Sequence, residues 1–162
     1  MNIRRRSAVF SAHEILDIAI SIEEEGIDFY TVLSSDSDRP DAASAFRYLA
    51  EQERQHAETF SELLARFKEE EQELFNWSDA SDYIRSFSRN KVFPKAADVL
   101  GNLSAAPVSK AIDFAIDVEK ESVIFYYEVL EILNDEDARA AVKKIIEEEK
   151  KHIVVLRKLL DK

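Results

Sequence analysis

The sequence contains no cysteine, and only two glycines and three prolines occur among its 162 residues. The absence of cysteine excludes disulfides, thiolate metal sites and iron–sulfur clusters, and it fits the reducing cytoplasm, which is the location we expect. So few glycines and prolines predict long helices joined by few turns, and the rarity of alternating apolar runs argues against a sheet. The composition therefore predicts an all-α protein.

Long hydrophobic runs and an excess of positive charge are also missing. No apolar run approaches 18 residues, so we expect no membrane span, and the apolar stretch after the basic residues 4 to 6 breaks too early for a signal peptide. The net charge of -11 disfavours nucleic acids and anionic membranes as partners. The remaining composition, 46% hydrophobic and 34% charged, predicts one globular domain over residues 1–162.

Four segments have apolar residues at helical spacing, and they predict helices at residues 12–33, 41–68, 108–133 and 135–160. Pro40 and Pro107 suit the first turns of helices 2 and 3, and Asn134 is the predicted cap of helix 4. The short links after helices 1 and 3 predict two antiparallel hairpins, 12–68 and 108–160.

The connection between helices 2 and 3 is about 40 residues long, more than an ordinary loop needs, and it contains a candidate short helix at residues 79–87. A connection of this length can return along a bundle. We therefore expect a four-helix bundle with one long crossover between helices 2 and 3, which is the ferritin-like arrangement.

The two predicted hairpins repeat one another in sequence. The segment IEEEGIDFY at 22–30 aligns with VEKESVIFY at 118–126, an offset of 96 residues (118 minus 22). The same offset carries Glu53 onto Glu149 and His56 onto His152. Two hairpins related by a pseudo-two-fold axis are expected.

Each predicted helix directs one glutamate toward the core, because the neighbours three, four and seven residues away are mainly apolar. These glutamates are Glu23, Glu53, Glu119 and Glu149, and two of them begin Glu-x-x-His motifs that end at His56 and His152. Burying four ionised carboxylates is costly unless something compensates their charge, and no lysine or arginine of these helices shares the face. Two divalent cations would supply that charge.

One glutamate from each of two helices, with Glu-x-x-His from each of the other two, is the ligand set of dinuclear carboxylate bundles. Oxygen and imidazole ligands suit iron or manganese, and zinc can also occupy such a site. The alternative is that the glutamates and histidines are buried hydrogen-bonded pairs that only specify packing. All six residues lie on the predicted buried face of their helices, and each matches a residue of the same type 96 positions away. This agreement favours two metal ions over pairs that only specify packing.

The same patterns predict roles for four other polar residues. Tyr30 and Tyr126 each lie seven residues after a candidate ligand, and they either bond to ligand carboxylates or simply pack in the core. Glu147 and Glu148 belong to an acidic run that we interpret as a solvated face.

The segments IEEEGIDFY, EQERQH, VEKESVIFYY and EEEKKH resemble the rubrerythrin-like branch of the ferritin-like superfamily, over nearly the whole chain. The resemblance implies two iron ions, one held by Glu23 with His56 and one by Glu119 with His152, both bridged by Glu53 and Glu149. Rubrerythrins typically carry a further glutamate where this chain has Ser122. They also carry a cysteine-ligated rubredoxin-type domain, so this chain would need a separate electron-donor protein.

The resemblance implies a di-iron oxidoreductase that reduces hydrogen peroxide. One alternative is a ferroxidase or iron-binding protein that oxidises Fe(II) with O2. The sequence ends at Lys162, without the fifth helix of ferritins, so we do not expect a 24-subunit storage shell. The other alternative is a metal-stabilised helical module that only dimerises. Such bundles often pair through an exposed apolar strip, and we expect a homodimer.

Overall fold

The computed structural model describes residues 12–70 and 107–161, and these residues form four α-helices. The helices are α1 (Ala12–Asp36), α2 (Pro40–Glu70), α3 (Val108–Ile132) and α4 (Glu136–Leu160). The all-α prediction is confirmed, and no helix end differs from its predicted position by more than three residues. The candidate helix at 79–87 lies outside the described residues. None of the four helices is both long and apolar enough to cross a membrane.

Contacts between the helices give their directions. Tyr30 of α1 reaches Glu119 of α3, whereas Glu23, earlier in α1, is reached by Tyr126, later in α3. The two helices are therefore antiparallel. The short links make α1 antiparallel to α2 and α3 antiparallel to α4, so α2 and α3 run in the same direction and Glu70 and Val108 lie at opposite ends of the bundle. The predicted ferritin-like four-helix bundle is confirmed, whereas residues 71–106, where the crossover is predicted, lie outside the described residues.

Polar contacts stabilise the two ends of α4. Asp135, not Asn134, caps α4: its side chain accepts a hydrogen bond from the Ala138 amide at 2.8 Å, which lowers the pKa of the Asp135 carboxyl. The predicted cap is wrong by one residue, because the Asp135 carboxylate also pairs with Arg66 of α2 and is fixed at that point. At the other end of α4, both terminal nitrogens of Arg39 donate to the Leu159 carbonyl at 3.2 Å.

The core consists of two apolar clusters separated along the bundle axis. The Phe60 cluster includes Ile15, Leu16, Phe60, Phe125 and Ile146. The Phe46 cluster includes Phe29, Phe46, Leu49, Ile112 and Leu156. In each helix the predicted ligands come between the residues of one cluster and the residues of the other, so they form a polar layer across the middle of the bundle.

Candidate metal centre

The polar layer consists of the six residues predicted as metal ligands. Seven polar or charged residues are buried in the part of the chain that the structure describes, and Ser122 is the only one outside the predicted set. α1 and α3 contribute one glutamate each, and α2 and α4 contribute a glutamate and a histidine each. The buried ligand candidates are Glu23, Glu53, His56, Glu119, Glu149 and His152, each at most 4% exposed.

The side chains form two groups that overlap, and in each group the candidate ligand atoms lie within 4.8 Å of one another. The first group contains Glu23, Glu53, His56 and Glu149, and the second contains Glu53, Glu119, Glu149 and His152. Glu53 and Glu149 belong to both groups, which is the arrangement that two bridging carboxylates require. The structure thus brings all six residues together, and their ligation of metal stays a prediction.

The inner nitrogen of His56 faces three carboxylates from three helices. Its Nδ1 lies 3.1 Å from Glu149 Oε1, 3.5 Å from Glu23 Oε2 and 3.6 Å from Glu53 Oε2. The nearest oxygen comes from α4, not from the Glu-x-x-His motif to which His56 belongs. The pairing across the bundle follows from the antiparallel packing of α2 on α4.

The inner nitrogen of His152 also faces three carboxylates from three helices, although here the nearest oxygen belongs to its own Glu-x-x-His motif. Its Nδ1 lies 2.9 Å from Glu149 Oε2, 3.1 Å from Glu53 Oε1 and 3.6 Å from Glu119 Oε1. The two imidazole rings stack with their centroids 5.5 Å apart and their planes 19° from parallel. The inner shell of the centre therefore follows the pseudo-two-fold symmetry that the sequence repeat predicts.

The hydrogen bonding of the inner side-chain atoms shows whether the six residues fit a metal. The inner atoms lie close together, yet many of them make no well-aligned hydrogen bond to any described residue. Buried polar atoms of native proteins are rarely left in this state. A cation placed among these lone pairs would satisfy them, so the donor set fits divalent metal ions. The atoms are Glu23 Oε2, Glu53 Oε1, both carboxylate oxygens of Glu149 and the Nδ1 atoms of His56 and His152.

Burial and mutual repulsion act on the carboxylates of the metal-free protein. Burial, followed by the charge of Glu53, raises the pKa of Glu23 well above its ordinary value. Burial and the charges of Glu119 and Glu23 raise the pKa of Glu149 to about 7. For Glu119 burial also acts to raise the pKa, but the contacts with His152, Glu149 and Tyr30 together outweigh burial and lower it.

Burial and the neighbouring carboxylates act in opposite directions on the pKa values of the two histidines. Burial by itself lowers the pKa of an imidazole, but the carboxylates of Glu149, Glu23 and Glu53 outweigh it and raise the pKa of His56 well above its ordinary value. The carboxylates around His152 act in the same way. In the metal-free protein both imidazoles are therefore protonated on both nitrogens, and their positive charge offsets part of the carboxylate charge.

Two tyrosines hold the carboxylates of the opposite hairpin. The Tyr30 hydroxyl donates a hydrogen bond to Glu119 Oε1, and the Tyr126 hydroxyl donates one to Glu23 Oε1. Burial, reinforced by the neighbouring carboxylates, raises the pKa of both phenols, so they stay protonated as donors. Of the two roles left open by the sequence, the structure shows bonding to the candidate ligands.

Small residues occupy the equivalent positions Gly26 and Ser122 beside the centre. A Cβ atom on Gly26 would lie 3.1 Å from Glu53 Cγ, so the glycine leaves room for that glutamate. The Ser122 hydroxyl donates to the Val118 carbonyl of its own helix at 3.2 Å. Ser122 therefore does not replace the further glutamate that rubrerythrins typically carry there.

Sequence reasoning missed Glu148. The assignment of this residue to a solvated face is wrong: its side chain is only 24% exposed, and its Oε2 lies 3.2 Å from Nε2 of His56. The usable signal was its position immediately before the ligand candidate Glu149, where the repeat has Gln52 before Glu53. An interpretation based on charge runs alone cannot distinguish an outer partner of a ligand from a surface residue.

Comparison with known proteins identifies relatives over almost the whole chain. The sequence profile of the Rubrerythrin family matches residues 14–160. Among solved structures, the chain is similar to a candidate ferritin-like diiron-carboxylate protein from Thermotoga maritima, with 34% sequence identity and a TM-score of 0.70. The similarity covers 93% of this chain and 94% of the other. No curated protein gives a significant match.

Proposed function

The chain belongs to the rubrerythrin family, and we propose on this basis that its polar layer holds two iron ions in a centre that reduces hydrogen peroxide. The observation that carries the proposal is the overlap of two buried donor groups through Glu53 and Glu149. Pairs that only specified packing would not need a second, symmetric copy that shares two carboxylates with the first.

Charge and ligand chemistry support the choice of metal. Four ionised carboxylates and two neutral imidazoles balance two divalent cations, whose total charge is opposite to that of the four glutamates. Carboxylate oxygen with imidazole nitrogen suits iron or manganese, and zinc can occupy the same set in purified protein. The 34% identical Thermotoga maritima structure is described as a candidate diiron-carboxylate protein, which favours iron.

The reaction consumes two electrons and two protons, converts one peroxide molecule to two waters and breaks one O–O bond. Two reduced iron ions held at one site would supply both electrons. The protein's own part is to fix the ligands: Tyr30 and Tyr126 each hold one oxygen of a terminal glutamate, and the Phe60 and Phe46 clusters surround the layer with apolar side chains. These 162 residues contain no cysteine that could ligate a rubredoxin-type iron, so the proposal includes an electron donor outside them.

Oxidation of Fe(II) by O2 is the second candidate function, and Ser122 favours it. Rubrerythrins typically have a glutamate there, whereas the Ser122 hydroxyl bonds to the Val118 carbonyl of its own helix and adds no carboxylate to the centre. Without that extra ligand, the preference for peroxide over O2 could be lost.

Stopped-flow oxidation of anaerobically reduced, iron-loaded protein tests the proposal. We expect the near-ultraviolet absorption of the oxidised iron pair to appear faster with peroxide than with O2 at equal concentration. A matched pair of variants assigns the signal: Glu53→Gln should abolish it, whereas Glu58→Gln, an exposed change on the same helix, should not. Equal rates with both oxidants, with catalytic turnover of added Fe(II), would establish the ferroxidase function. Protein that binds only redox-inert zinc and stays colourless would instead be a metal-stabilised module.

A further inference from the structure

The outer nitrogens of the two histidines have different surroundings, although the inner ones match. His56 Nε2 lies 3.2 Å from Oε2 of Glu148. His152 Nε2 is buried and has no hydrogen-bond partner among residues 12–70 and 107–161. At the position equivalent to Glu148, 96 residues earlier (148 minus 52), the chain has Gln52. The pseudo-two-fold symmetry therefore ends at the outer nitrogens.

When the ring of His56 is neutral, the contact with Glu148 favours the tautomer with its proton on Nε2. An ionised carboxylate can only accept a hydrogen bond, so Nε2 is then the donor and Glu148 Oε2 the acceptor. Nδ1, which faces Glu149, Glu23 and Glu53, then keeps its lone pair for a metal ion when the ring is neutral. An outer carboxylate also makes the imidazole a stronger base and fixes the ring orientation, and both effects strengthen metal binding. Gln52, at the equivalent position of the repeat, has a neutral amide and cannot supply such a charge.

The position of Glu148 suits this role. Its side chain is mostly buried, which limits the screening of its charge beside His56. Its other oxygen, Oε1, lies 3.6 Å from the Nζ of Lys144, an exposed residue one turn earlier on α4. The two oxygens of Glu148 therefore face different partners, with Oε2 directed toward His56.

We propose, on the basis of the metal centre proposed above, that Glu148 is a positioning residue that makes the two metal positions unequal, so that the first ion binds beside His56 and the second beside His152. The inner ligands alone would give two nearly equivalent positions, since they obey the repeat. The inequality comes from one pair of outer residues, Glu148 and Gln52.

Stepwise binding of Zn(II) to the full-length metal-free protein tests the proposal without any activity measurement. Competition with a chromophoric chelator gives the two dissociation constants, and nitrogen-15 NMR of the imidazoles shows which histidine responds to the first equivalent. We expect the His56 signals to shift first. Glu148→Gln should weaken the first step about 10- to 100-fold, as loss of an outer partner generally does, and should leave the second step unchanged.

Reciprocal and control variants make the test specific. Gln52→Glu should strengthen the second step, and the double variant with Glu148→Gln should reverse the order, so that the His152 signals shift first. Glu147→Gln removes the same charge from the adjacent exposed residue, whose carboxylate pairs with Lys150, and should change neither constant.

The outcomes separate the two proposals. Two ions bound with equal affinity, a first shift at His152, or a Glu148→Gln protein that behaves like Glu147→Gln would overturn the role of Glu148 and leave the dinuclear centre standing. Fewer than two ions bound by the unmodified protein would overturn the centre itself and this inference with it.

Discussion

The Tyr30 hydroxyl on α1 donates a hydrogen bond to Glu119 on α3, 89 residues farther along the chain, and Tyr126 on α3 returns the same bond to Glu23 on α1. Each hairpin therefore supplies the donor that fixes the other hairpin's carboxylate. Because neither bond is local in sequence, both depend on the packing of α1 against α3.

We expect Tyr30→Phe and Tyr126→Phe each to lower the free energy of unfolding by about 1 to 3 kcal/mol, since each change leaves a buried carboxylate oxygen without its donor. The symmetry of the two bonds predicts similar losses. Urea unfolding of metal-loaded protein measures them. Tyr127→Phe is the control, because Tyr127 is exposed and its hydroxyl accepts a hydrogen bond from Lys150 at the surface, so its loss should stay within about 0.5 kcal/mol. Losses no larger than the control's would show that the two bonds contribute nothing to stability.

Glu53→Gln and Glu149→Gln should each reduce the binding of both metal ions. An amide has one oxygen donor and no charge, so it cannot bridge two cations as a carboxylate does. His56→Ala should mainly weaken one ion, because His56 belongs to only one of the two donor groups. Metal analysis after reconstitution, with Glu58→Gln as the exposed control, measures the stoichiometry. Loss of a single ion in every variant would contradict the bridging roles.

The stability of the metal-free protein should fall as the pH rises. The folded pKa values of Glu149, His56 and His152 are raised, so the folded protein holds protons at pH values where the unfolded chain has released them, and the free energy of unfolding decreases with pH. The contribution of Glu149 is complete below its ordinary pKa of 4.5 and is lost as the pH passes through about 7. The histidine contributions are complete below 6.5 and decline above it.

Metal replaces these protons, so the loaded protein should show a flatter profile or one that rises with pH. Urea unfolding of both forms at about pH 5, 7 and 9 compares them. The lowered pKa of Glu119 acts in the opposite direction, but only on the acid side, where stability is lost as the pH falls through its folded value. Parallel profiles for the two forms would mean that the same protons remain bound when metal is present.

Gly26→Ala should separate stability from metal binding. Alanine favours the helix by about 1 kcal/mol over glycine, yet the new Cβ would lie 3.1 Å from Glu53 Cγ and would displace that side chain by a few tenths of an ångström. We expect metal-free protein at least as stable as the original, with affinity lowered about tenfold for both ions, since they share Glu53. Ser122→Ala at the equivalent position removes only a hydroxyl bonded to its own helix, and its affinity should be unchanged. Equal affinities in the two variants would show that Glu53 has room to move.

The sequence predicted the helices and the grouping of the six inner residues, because both follow from periodicity: apolar residues at helical spacing bury one face, and a glutamate on that face enters the core with it. Periodicity says less about residues at the border of the face. Glu148 lies at such a border, and its contact with His56 depends on how closely α4 packs on α2. The predicted cap of α4 is wrong for a similar reason, since the ion pair with Arg66 on α2 holds Asp135 at the cap position. The protonated state of the histidines also required the distances between helices, which no single helix encodes.

The separation of the core into two apolar clusters bears on how the protein matures. The Phe60 cluster and the Phe46 cluster each bury side chains from all four helices, so assembly of the bundle has a hydrophobic driving force on both sides of the polar layer without any ion. Protons on His56 and His152 meanwhile offset part of the carboxylate charge between the clusters. We expect the newly synthesised chain to fold first and to bind iron afterwards. The protons that offset the carboxylate charge in the folded, metal-free protein are then released as iron binds.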